Sequence, residues 1–407
     1  MALVASAPST SKRTIGMSTK PPSAGPNNED IRVLQYGRGL AALLVCIFHF
    51  EGGREQLLPQ AAAAVGSIDL NYIFRAGHSG VEFFFILSGF IIFHVHRRDL
   101  GRPERLSGFC LRRAIRILPM FWLIVIPVGL AGLALSASTG LTPGTFLLDI
   151  LLIPREGILT LSTAWTLQHE LVFYVLFGVV ILRRSLGIIA LALWQTACLV
   201  VLVFNLLPQD YALPATTFLG YFNFGFIFGI VIAFLYGRAD FGAHRRVFLI
   251  FGWIGFVSLL ACFLGECRFG SAMFFPSPAA STIIYFGLYS LIILALLSIE
   301  NKPRPFLDAT LGPLGGASYI LYLIHVPLAS LLSKLFLLPA LRPLAGSVVI
   351  FPFSVLFAVL ISILMHYRIE RPTLRWLRHR LLPRSQPGSV LTTGSTMMTE
   401  KAHNLQL

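Results

Sequence analysis

An arginine and a histidine stand eleven residues apart in "GRGLAALLVCIFHF" (37–50), an otherwise apolar run. Ionisable side chains inside a membrane segment are expensive and mark functional positions. Eleven helical steps of about 100° come to about 20° past three full turns, so Arg38 and His49 share a face, about 16 Å apart along the axis. A histidine partnered by a carboxylate is a general-base arrangement. Two further stretches supply acids: "GHSGVEFFFILSGFIIF" (77–93) carries Glu82, and "STAWTLQHELVFYVLF" (162–177) carries His169 and Glu170. A fourth stretch, "CLRRAIRILPMFW" (110–122), sets Arg113 and Arg116 three apart on one helix face, with Arg112 beside them. Such a fork suits a phosphate or pyrophosphate. Together with Arg38 it could hold an anionic donor.

The composition says what positions these groups. Hydrophobic residues make up 56% of 407 and charged residues 12%, and mean hydropathy is +0.76. A soluble domain carries about 25% charged residues. The chain is therefore read as all-α, a polytopic helical membrane protein with about ten spans: 33–50, 79–96, 115–135, 164–182, 185–206, 216–236, 246–265, 279–299, 316–338 and 346–367. The formal charge of +14 first suggests nucleic acid. The basic residues fall in short loops between apolar runs, without a nucleic-acid motif, and nucleic acid is excluded as a partner.

The same loops give orientation. With the N-terminus inside, the cytoplasmic loops and tails hold 25 of the 32 lysines and arginines, which places both termini in the cytoplasm. Span one then runs outward, so Arg38 lies near the cytoplasmic face and His49 near the outer end. Spans two and four run inward, which brings Glu82, His169 and Glu170 to a depth similar to that of His49. The arginines of 112–116 lie on the cytoplasmic side. Three regions follow: a disordered cytoplasmic tail (1–32), a transmembrane domain (33–372) and a basic cytoplasmic tail (373–407). Within the last, "LRWLRHRLL" (374–382) reads as an amphipathic interfacial helix. "TFLLDILLIP" (145–154) is too short to cross and belongs at the interface or in a loop. Ser318 and His325 share a face of span nine, lining either a packed interface or a pocket. The five cysteines form no CxxC pair, and no metal site is indicated.

In family order, Arg38 and His49, "GVEFFFILSGF" (80–90), "RRAIRILPMFW" (112–122), "WTLQHELVFY" (165–174), "LGGASYILYLIHVPL" (314–328) and "IERP" (369–372) resemble the acyltransferase 3 family. Its members are integral-membrane O-acyltransferases that modify sugars, polysaccharides and some macrolides. The resemblance implies an acyl-CoA donor, usually acetyl-CoA, presented from the cytosol, and a carbohydrate or lipid-linked glycan acceptor. It implies His49 as the essential base and Arg38, Arg113 and Arg116 in donor binding or site structure; Glu82 or Glu170 is then read as orienting the His49 ring. Glu82 stands where the family more often has aspartate. The protein is expected in the plasma membrane, the inner membrane of the cell. Many relatives carry a C-terminal extracytoplasmic hydrolase-like domain. This sequence is expected to lack one and to act alone or with a separate extracytoplasmic partner. A secondary transporter or flippase of a lipid-linked sugar is the alternative, but transporters show paired repeats and no repeat is found.

Overall fold

The computed structural model describes residues 31–57, 75–135, 140–208, 213–300, 304–336, 338 and 350–382. Most of both expected tails, 1–30 and 383–407, lies outside the described residues. Among those described, every regular element is helical. The helices are α1 (Arg32–Leu57), α2 (Gly80–His96), α3 (Leu106–Ala134), α4 (Pro143–Ile150), α5 (Ala164–Leu182), α6 (Arg184–Val203), α7 (Pro214–Leu219), α8 (Phe224–Tyr236), α9 (Arg245–Phe269), α10 (Ser271–Phe274), α11 (Pro278–Leu297), α12 (Pro305–Phe336), α13 (Ile350–Met365) and α14 (Arg371–Leu381). Among the described residues, ten helical stretches are long and apolar enough to cross a membrane, α7–α8 and α13–α14 each counting as one. The chain is a multi-pass, all-α membrane protein.

The spans fall where the apolar runs put them, with two extensions. Helix α3 starts at Leu106 rather than 115, and α12 at Pro305 rather than 316. In α3 the added turns carry Arg112 and Arg113, side chains that hydropathy counts against a span but that the fold uses. The stretch 145–154 does not cross. It forms α4, opened by a capping box between Thr142 and Thr145. The buried Asp149 then folds the following loop back, taking both Nε and Nη2 of Arg155 at 2.7 and 2.8 Å and the Thr160 amide at 2.7 Å.

Lipid tails give no hydrophobic drive between helices, so close packing of small residues must hold them together. Helix α1 lies against α12 where a Cβ on Gly315 would stand 2.2 Å from Gln35 O. Helix α2 lies against α8 where a Cβ on Gly89 would stand 2.1 Å from Phe226 O, and one on Gly229 1.9 Å from Ile86 O. The core between these pairs is aromatic: Phe173 and Phe226 stack at 4.3 Å, and Phe85 meets Phe226 at 5.1 Å. The outer surface is apolar, as lipid contact requires; Trp253, Ile254, Val257 and Leu264 of α9 are all exposed. At the start of α1, Glu300 accepts the Arg32 and Val33 amides at 2.8 and 3.0 Å, a carboxylate at the positive end of a helix. Burial pushes that carboxyl above its usual range.

Two glycines test this packing. Gly89→Ala should destabilise the protein by about 1–3 kcal/mol, because the obstructing atom is backbone. Gly287→Ala, where a Cβ meets nothing within 4 Å, should be neutral or stabilising by up to about 1 kcal/mol. Equilibrium unfolding in detergent measures both.

Candidate functional site

The ionisable groups gather at the two ends of the bundle. At one end, α1 and α12 bring His49 and His325 together, with ring centroids 4.8 Å apart. His325 Nδ1 lies 3.1 Å from Leu321 O, four residues back on its own helix. A carbonyl only accepts, so His325 carries its proton on Nδ1 and offers Nε2 as an acceptor. That Nε2 lies 3.2 Å from His49 Nδ1, which also lies 2.9 Å from Val45 O. Both neighbours accept, so His49 also carries its proton on Nδ1. The arrangement leaves the Nε2 lone pair of His49 pointing away from the dyad, in the tautomer a general base needs.

The carboxylates expected to orient His49 bond elsewhere. Glu82 is buried; its Oε1 accepts from Thr282 Oγ1 at 3.1 Å, and its Oε2 is buried without a partner. Glu170 Oε1 accepts from Ser88 Oγ at 2.8 Å and Tyr174 Oη at 2.5 Å. Ser88 is six residues deeper along α2 than Glu82, about 9 Å at 1.5 Å per residue. Glu170 is thus deeper in the bundle than Glu82, and Glu82 is itself deeper than His49, since Gly80 packs on Ala41, eight residues before His49 on α1. His169 is also buried, with Nδ1 2.8 Å from Asn223 Oδ1. The polar side chain that meets the His49 ring is His325, which the sequence places only on a shared face with Ser318.

The other end holds the arginines. Arg116 donates to Glu370 Oε1 at 2.8 Å, and His366 Nδ1 donates to Glu370 Oε2 at 2.7 Å. Both partners sit on the π-helical turn His366–Glu370 between α13 and α14, a distortion often found at functional sites. Arg38 is close enough for its charge to act on Glu370. Arg116 also lies over the Tyr319 ring, 5.3 Å from its centroid. Arg113 takes a different partner, donating to His96 Nε2 at 3.3 Å, while His96 Nδ1 donates to Asp99 at 2.8 Å. The two arginines of the expected fork are thus braced by separate histidine–carboxylate pairs. Arg112 and Arg113 each bury an Nε without a partner. These orphaned donors fit an anion. Among the described residues, no cluster of histidine, cysteine and acid has a metal-binding arrangement.

One helix joins the two ends. Along α12, Tyr319 lies over Arg116, Tyr322 Oη meets Thr166 Oγ1 at 3.0 Å, and His325 meets His49. These three residues recur every third position and span about 9 Å. A polar stripe therefore runs through the bundle from the arginines to the dyad.

Fold and site define a membrane-embedded protein with a neutral histidine pair at one end and cationic anchors at the other. The family model described as an acyltransferase domain matches residues 31–367, and the chain belongs to the acyltransferase 3 family. A curated relative, the exopolysaccharide production protein ExoZ of Rhizobium meliloti (strain 1021), is 28% identical over 333 residues, covering 75% of this chain and 92% of the relative. No solved structure matches.

The Arg116–Glu370 pair gives a stability test. Glu370→Gln leaves Arg116 largely buried without its counter-charge and should cost about 3 kcal/mol. The double replacement Arg116→Met with Glu370→Leu should recover most of that loss. Thermal unfolding of the purified variants decides, with membrane orientation checked in each.

Proposed function

We propose that this protein moves an acyl group, acetyl in the first instance, from acyl-CoA to a hydroxyl of a carbohydrate or lipid-linked glycan. It acts in the plasma (inner) membrane with both termini cytoplasmic. The observation that carries this reading is the His49–His325 dyad, which leaves a basic nitrogen at the end of a polar stripe that begins at the arginines. The family membership supplies the reaction class. The relative's role in exopolysaccharide production supports a carbohydrate acceptor, and the loop charges support the orientation.

In this reading the nucleotide and pyrophosphate of the donor lie at the arginine end, held by Arg38, Arg113 and the orphaned Nε donors. Arg116, already neutralised by Glu370, shapes that mouth. The thioester arm follows α12 past Tyr319 and Tyr322 toward His49. Glu170 lines the route by fixing Ser88 and Tyr174 beside Arg113. The acceptor hydroxyl then gives its proton to His49 Nε2 as its oxygen bonds to the thioester carbonyl carbon. Collapse of that centre breaks the carbon–sulfur bond, and the sulfur leaves with the proton held by His49. His325 keeps the ring in the reactive tautomer throughout and holds the hydrogen on Nδ1. The stripe of about 9 Å gives the thioester arm a path from the arginines to the base.

Purified protein given radiolabelled acetyl-CoA should label a carbohydrate acceptor, or slowly hydrolyse the thioester. His49→Ala should abolish both while leaving expression and insertion intact; near-parental activity in that variant would end the general-base assignment. His325→Leu should lower turnover by about 10- to 100-fold with little change in the Michaelis constants, since a positioned base contributes about 10²–10⁴-fold. Arg113→Ala should instead raise the Michaelis constant for acetyl-CoA. A change confined to the acceptor constant would move the donor site elsewhere.

A further inference from the structure

Helix α9 is the most lipid-exposed of the long helices, with its surface mainly apolar. Its buried residues are Gly252, Gly255, Gly265 and Glu266. Three of these let the helix approach its neighbours. The fourth is a carboxylate with 0% exposure, carried into the membrane domain by a helix that has little else to hide. Such a group is expensive there and needs a reason beyond packing.

Glu266 faces the turn Arg75–Ser79 ahead of α2. His78 Nε2 donates to Glu266 Oε2 at 3.3 Å, and Tyr285 Oη donates to Glu266 Oε1 at 2.8 Å. Glu82, with its unpartnered Oε2, lies close enough for its charge to act on His78. The turn is pressed onto α1 just before His49: a Cβ on Gly77 would stand 2.6 Å from Leu44 O and 3.2 Å from Phe48 Cβ. Phe48 makes edge contacts with both histidine rings, at 5.0 Å to His49 and 5.8 Å to His78. Of the acid–histidine group, His78 is the open member, with 32% of its side chain exposed.

We propose that His78, Glu266 and the free oxygen of Glu82 form the binding subsite for the acceptor. It would take a polyhydroxylated ring, a sugar whose reacting hydroxyl lies at His49 Nε2 and a further hydroxyl of which, reaching past His78, donates to Glu82 Oε2. His78 stands at the mouth as the first polar contact. Glu266, fixed by Tyr285, holds the His78 ring in place. A buried carboxylate oxygen without a donor loses the full worth of a charged hydrogen bond until a hydroxyl arrives. A site built this way favours a diol over a lone alcohol, because an acceptor lacking the second hydroxyl leaves that oxygen unpaired. The inference rests on the acyl-transfer reading, and it names residues that reading does not need.

The test is acceptor saturation. Carbohydrate from the producing strain, stripped of its ester groups by mild alkali, is titrated against purified protein at fixed acetyl-CoA. For His78→Gln and Glu266→Gln the acceptor Michaelis constant should rise tenfold or more, with the acetyl-CoA constant held within twofold. Tyr285→Phe removes only the hydroxyl on Glu266. It should raise the acceptor constant about threefold, and it carries the test if the charge variants fail to fold. An ion pair that merely ties α9 to the bundle predicts the opposite pattern: lower melting temperature, lower turnover and an unmoved acceptor constant. That pattern overturns the proposal, as does a rise in the donor constant. Wild-type protein that labels no carbohydrate overturns the acyl-transfer reading itself and this subsite with it.

Discussion

Inside a bilayer a charge must find its partner within the protein, and most of this architecture answers to that constraint. An unpaired ion in a low-dielectric interior costs several kcal/mol, and lipid offers no hydrogen bonds. Arg116 therefore meets Glu370, Glu370 meets His366, Arg113 meets His96, and Glu266 meets His78 and Tyr285. Each pairing joins helices distant in sequence or locks a turn between them. Arg116–Glu370 ties α3 to the π-turn before α14, and His78–Glu266 ties the turn before α2 to the end of α9. The ionisable groups that make chemistry available also fix which helices are neighbours.

Glycine packing and charge pairing divide the labour. The close approaches of α1 to α12 and of α2 to α8 set the spacing of the bundle's centre, where a single methyl would strike backbone. The charge clusters set register at the two ends. Between them, the stripe of Tyr319, Tyr322 and His325 keeps a line of polar groups on an otherwise aromatic interior. Those hydroxyls have partners in Ile117 O and Thr166, so the stripe's polar groups are satisfied within the protein.

The histidine dyad is notable for needing no ion. Each ring is anchored to the carbonyl four residues back on its own helix, Val45 O for His49 and Leu321 O for His325. Two local bonds thus set the direction of the proton chain, and the contact between helices passes it on. A carboxylate in the place of His325 would hold the ring as firmly but would bring a charge into the apolar end of α12. A neutral partner orients the His49 ring and leaves its Nε2 lone pair available.

Much of this was legible in the sequence. Span number and approximate limits follow from apolar length, because the bilayer sets one thickness for every crossing helix. The short 145–154 stretch reads as non-crossing for the same reason. Arg38, His49, Glu82, Glu170 and the arginines of α3 stand out in the sequence as candidates because such groups are costly in lipid. The sequence gives no role to His78, Glu266 or His366, and Glu370 enters it only within the IERP motif. Glu266 and Glu370 fall just beyond the apolar runs 246–265 and 346–367. His78 stood unremarked inside a motif valued for its glutamate. Composition, depth and helical face are local properties, fixed by hydropathy and by 1.5 Å of rise per residue. Partner choice is not local. That His49 meets His325 and neither Glu82 nor Glu170 depends on how α1 and α12 rotate against each other, and only the packed bundle decides that rotation.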